Sequence, residues 1–149
     1  MNIDGILIAA STPERGRLLI EQLAAAGWSG ISVFDPMRAD ALTFVRGLNP
    51  TVVVLELGDP NSQAREQVFR LARERRWPIV AFVDQADAAT LDAAMSAGVA
   101  SYVVRGLWPG RVQPVVETAI ARHRQMEHLR RERDDAVNAF AAFYRPVGT

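Results

Sequence analysis

The stretch Pro50-Thr51-Val52-Val53-Val54-Leu55-Glu56-Leu57-Gly58-Asp59-Pro60 decides how the rest of the chain is read. Apolar and β-branched residues run to Leu55 without a polar break, the pattern of a strand covered on both faces. Glu56 follows directly and places a carboxylate at the strand's carboxyl end, where Gly58 and Pro60 impose a turn. In open α/β sheets that edge is where chemistry and recognition take place. The reading of this protein turns on what a glutamate does there and which side chains it meets.

On the amino-terminal side, Gly5-Ile6-Leu7-Ile8-Ala9-Ala10 reads as a buried strand leading into a helix, with Thr12 as cap and Pro13 at the first helical position. Leu18, Leu19, Leu23 and Ala26 keep helical spacing inward, and Gly27 stops the helix. Residues 31–34 form a second strand ended by Asp35-Pro36, and 39–47 a second helix with Ala41, Leu42 and Val45 inward. On the carboxyl-terminal side the spacing predicts a helix over 62–76 burying Val68, Leu71 and Ala72, and a strand over 78–83. A helix over 84–97 closed by Gly98, a strand over 100–104 and a helix from about Pro109 complete the pattern. Five strands alternating with five helices require an α/β fold: a three-layer, doubly wound, five-stranded parallel sheet of flavodoxin-like type.

Composition excludes several classes of function. The 149 residues suit one domain. No cysteine is present, which removes thiol catalysis and disulfides and fits a reducing, cytoplasmic setting. No signal pattern appears and no run reaches the roughly 18 apolar residues of a membrane span, so no membrane partner is expected. Charges balance at zero, leaving no global field for nucleic acid. All 17 basic residues are arginine, so no lysine chemistry can operate. Ser11, Glu56, Asp59 and Asp84 should crowd one edge, but no histidine, cysteine or lysine stands near them as base or nucleophile. His123 and His128 are five apart and diverge by about 140° on a helix, a poor metal pair. The expectation is a protein that is not an enzyme and carries no cofactor and no metal.

Ile6-Leu7-Ile8, Pro50 to Pro60, Trp77-Pro78-Ile79-Val80 and Ala97-Gly98-Val99-Ala100-Ser101-Tyr102-Val103-Val104 stand in register with one another. Over 6–121 the chain resembles a CheY-like receiver domain of bacterial response regulators. Phe82-Val83-Asp84-Gln85, Tyr102-Val103-Val104-Arg105-Gly106-Leu107, Pro109 and Arg111-Val112-Gln113-Pro114 are most similar to the AmiR/NasT branch, transcription antiterminators that end in an RNA-binding ANTAR domain. Receivers hold Mg²⁺ with acidic residues after the first strand and phosphorylate an aspartate after the third. A hydroxyl after the fourth strand and a lysine after the fifth meet the phosphoryl oxygens. The resemblance places Ala10 and Ser11 at the acidic pair, Glu56 at the nucleophile, Val83 at the hydroxyl and Arg105 at the lysine. Tyr102 stands as the switch-face aromatic. Every reacting group has changed, which implies a pseudo-receiver, with an internal Glu56–Arg105 pair in place of the phosphoryl–lysine contact. The alternative is a phosphorylatable single-domain response regulator of a two-component system, which the missing acids and lysine oppose.

The body of the domain is expected over 1–108, an extended helix over 109–145 and a short tail over 146–149, with Pro146 and Gly148 stopping the helix. Pro114 lies in its early turns, where it can kink the helix. Val115, Ala119, Arg122, Met126, Leu129, Arg133, Ala136, Phe140 and Phe143 form a coiled-coil-like seam. The partner expected on it is a second copy, giving a homodimer. The chain stops short of an ANTAR domain, so RNA is a partner only if an output domain is joined to it. A ligand-sensing regulatory protein is the other partner the resemblance implies.

Overall fold

The computed structural model describes residues 1–143. Ten elements alternate: β1 (Asp4–Ala10), α1 (Pro13–Ala25), β2 (Ser29–Val33), α2 (Ala41–Leu48), β3 (Val52–Gly58), α3 (Ser62–Arg73), β4 (Ile79–Val83), α4 (Ala88–Ala97), β5 (Ser101–Val104) and α5 (Val112–Phe143). The strands pair in parallel in the order β2-β1-β3-β4-β5, with β3 at the centre. From β1 the chain steps outward to β2 and then returns to β3. The switch point therefore lies between β1 and β3, where Ala10 pairs with Glu56.

Alternation along the strands divides the core into two layers. Leu7, Val53, Leu55, Ile79, Ala81 and Val83 face α2, α3 and α4, meeting Val45, Val68, Leu71, Ala72, Ala94 and Ala97. Ile6, Ile8, Val52, Val54, Val80 and Phe82 face α1 and α5, meeting Leu19, Leu23, Val112, Val116, Ala119 and Ile120. Leu18, expected inward, is instead exposed at the carboxyl edge of the sheet.

Local signals set the helix ends. The Thr12 side chain accepts from the Arg15 amide at 3.1 Å, with Pro13 at the first helical position as expected. Asn61 caps α3 through the Ala64 amide and Asp87 caps α4 through the Thr90 amide, both at 2.8 Å. Because Asp87 is the cap, α4 begins at Ala88 and not at 84, which leaves Asp84 in a loop at the carboxyl edge. Asn49 ends α2 in the left-handed region at φ 47°, and its side chain accepts from the Trp77 indole at 3.0 Å.

Pro114 falls in the first turn of α5, where backbone amides have no intrahelical acceptor, and the helix runs unbroken to Phe143. Its 32 residues span about 48 Å. The first turns are built into the core, and burial ends at Ile120. Beyond that point the helix passes Trp77, Pro78, Gly98 and Ala100 at the amino edge of the sheet and projects past it. The expected stop at Pro146 and Gly148 lies outside the described residues.

Candidate functional site

Glu56 closes β3 at the switch point and is 3% exposed, a buried polar side chain among apolar ones. Both of its oxygens are occupied. The Ser11 amide and hydroxyl donate to Oε1 at 3.0 and 2.6 Å. An Arg15 guanidinium nitrogen and the Gly58 amide donate to Oε2, each at 2.9 Å. A buried carboxylate is tolerated only when its lone pairs are met in this way.

The same Arg15 nitrogen donates to Asp84 Oδ1 at 2.9 Å, so one cation ties the ends of β3 and β4 to the start of α1. Hydrogen bonds to Asp84 and then to Glu56 push the Arg15 pKa above its ordinary value. An arginine in the first turn of a helix opposes the helix dipole, so this position needs carboxylates in front of it. A basic residue at that position is the signal in the sequence that acidic groups face the start of α1.

Gly58 makes the arrangement possible. It adopts φ 64° at an irregularity in the β3–β4 ladder, which turns its amide back onto Glu56. A Cβ there would stand 3.1 Å from Ser11 Oγ and 3.4 Å from the Arg15 guanidinium.

The expected Glu56–Arg105 pair is not formed. Arg15 approaches from α1 and takes the free side of the carboxylate. Arg105, in the left-handed region at φ 54°, makes no side-chain ion pair among the described residues. It lines a cleft of about 310 Å³ with Arg15, Leu18, Glu56, Asp84 and Trp108. Val83 is buried in the core and presents no polar atom. Tyr102 is also buried, packed in the α3–α4 layer, and burial raises its pKa. Asp59 separates from the other acids and faces a second recess with Arg65, Asp87 and Tyr102. Of the four polar residues expected to crowd this edge, Glu56 and Asp84 are joined through Arg15 and Ser11 bonds Glu56 directly, whereas Asp59 stands apart.

The Mg²⁺ of phosphorylating receivers does not fit these residues. Ala10 offers no donor atom, the Ser11 hydroxyl proton is directed at Glu56, and both Glu56 oxygens already accept two hydrogen bonds each. Hard divalent cations require several oxygen ligands with free lone pairs.

On α5, Ala119 is buried in the core and Val115 packs against it, so the domain itself uses the first two positions of the expected seam. From Met126 onward the seam is exposed: Met126 by 60% and Leu129 by 50%, with Ala136, Phe140 and Phe143 following.

The sequence matches no protein-family model and no curated protein. Solved structures do match. The signal receiver domain of a modulated diguanylate cyclase from Desulfovibrio desulfuricans G20 is 20% identical with a TM-score of 0.69, over 83% of this chain and 98% of that one. Chemotaxis protein CheY4 of Vibrio cholerae is 13% identical with a TM-score of 0.64, over 78% of this chain and 98% of that one. A fusion carrying the yeast Spc42 trimeric coiled coil is 16% identical with a TM-score of 0.64, over 95% of this chain and 93% of that one. The likeness at these identities is one of fold.

Proposed function

We propose that this protein, which has the fold of a signal receiver domain, is a pseudo-receiver that signals without phosphorylation, through protein contacts that begin with a second copy of itself. One observation carries the reading: both oxygens of Glu56 are engaged by Ser11, Arg15 and Gly58. A carboxylate so engaged has no lone pair directed outward for attack on phosphorus, and Arg15 supplies the positive charge that a metal would otherwise bring. The protruding part of α5 supports the dimer. Met126 and Leu129, 60% and 50% exposed, continue an apolar stripe with a period of alternating four and three residues. The resemblance over 82–85 and 102–107 favours a role of AmiR/NasT type in transcription antitermination control, with a ligand-sensing protein as partner.

Two measurements test this. Intact-mass spectrometry after incubation with acetyl phosphate and Mg²⁺ should show no phosphoryl adduct. An adduct mapped to Glu56 would end the reading. Sedimentation equilibrium should show a concentration-dependent dimer, and a monomer at every concentration would remove its second half.

A further inference from the structure

A charged recess lies at the opposite end of the molecule, where α5 leaves the body. Arg76, from the α3–β4 connection, and His123, Arg124, Glu127, His128 and Arg131, from α5, line a cavity of about 350 Å³. That volume falls at the lower end of small-molecule sites, which run to roughly 1,000 Å³. Glu127, the acid in this set, is already paired with Arg130 at 3.2 Å, and His128 with Glu132 at 3.0 Å. Arg124 and Arg131 make no ion pair among the described residues, and Arg76 lies over the Trp77 ring at 5.3 Å. Three guanidinium groups therefore converge on one concavity without carboxylate partners, in a chain whose formal charge is zero.

We propose that this recess binds a short phosphate chain, of the kind carried by a nucleoside triphosphate or by inorganic polyphosphate. Guanidinium groups pair bidentately with phosphate oxygens, and three of them around one cavity match successive phosphates. The acids that follow on the same helix, Glu132, Asp134 and Asp135, favour a short ligand. A long polyanion running along α5 would meet them within a turn. The site is compatible with the dimer proposed above. Arg124 and Arg131 are seven residues apart, and each is flanked by seam positions two residues away on either side. Both thus lie on the outer face of a coiled coil.

Isothermal titration of the full chain with inorganic tripolyphosphate, with ATP and with a short DNA duplex tests the proposal. One-to-one binding of tripolyphosphate below about 1 mM is expected, weakening as salt rises. ATP binding of similar strength would assign the natural source to a nucleotide, and its absence to inorganic phosphate chains. R124Q/R131Q, two exposed changes that leave the core alone, should weaken binding by at least about tenfold, one lost charge-assisted pair or more. R17Q on α1 should leave it unchanged. No binding, binding unaffected by R124Q/R131Q, or tighter binding of the duplex would each overturn the assignment. None of these results bears on whether Glu56 is phosphorylated, so the two readings stand or fall separately.

Discussion

Replacing Arg15 by methionine keeps most of the aliphatic stem and removes the cation from in front of Glu56 and Asp84. The lost hydrogen bond to a buried charged acceptor is worth about 1.5–3 kcal/mol. The Asp84 contact joins side chains 40% and 46% exposed, and water replaces most of it, so it adds roughly 0–1 kcal/mol. Glu56 keeps three donors, from Ser11 and Gly58, which limits the damage. The net loss should be about 2 kcal/mol, which moves a urea midpoint by about 1 M for a slope near 2 kcal/mol/M. Trp28 and Trp77 are buried in opposite layers and report the transition by fluorescence. The decisive quantity is the coupling in a cycle of R15M with E56Q, expected at about 1.5 kcal/mol. Coupling below about 0.5 kcal/mol would refute the claim that Arg15 neutralises this carboxylate.

Gly58→Ala should cost about 1–2 kcal/mol, because alanine is strained at φ 64° and its methyl presses on Ser11 and Arg15, and a urea titration measures it. M126E/L129E should convert a sedimenting dimer to monomer without lowering the melting temperature of the body, since both side chains are exposed. Burial first of all lowers the His123 pKa, while Glu127 and the Arg76 backbone act to raise it and Arg130 acts with burial. A histidine that resists protonation in the folded state takes up its proton more readily when unfolded. Stability is therefore full above the ordinary histidine range and declines as pH falls through it, levelling off once the lowered pKa is passed. Melting temperatures at successive pH values should show this decline, and His123→Gln should flatten it.

The architecture was legible because each strand announced itself by an unbroken apolar run and each helix by its cap or stop. Thr12, Pro13 and Gly98 behave as their chemistry demands. The position of Glu56 could be read for the same reason, as the first charged residue after the central run. Its partner could not. Arg105 was the natural choice by correspondence with a lysine, but contact depends on which side chain reaches over the β1–α1 turn, and short-range patterns do not encode that. Helical spacing reads α4 from 84 because Asp84 and Asp87 are both residue types that cap helices; the structure caps at Asp87, while Asp84 is held by Arg15. The seam was overextended because helical spacing alone cannot tell an apolar stripe facing its own sheet from one facing outward, as Val115 and Ala119 show.

The helix α5 is rooted between α1 and the sheet through Val112, Val116 and Ile120 and continues without a break to its far end. It acts as a lever. About 35 Å of rod extend beyond the fulcrum, so a tilt of about 5° at the root carries the tip by about 3 Å. A shift at the root too small to disturb the core would thus arrive at the other end as a displacement the size of a side chain.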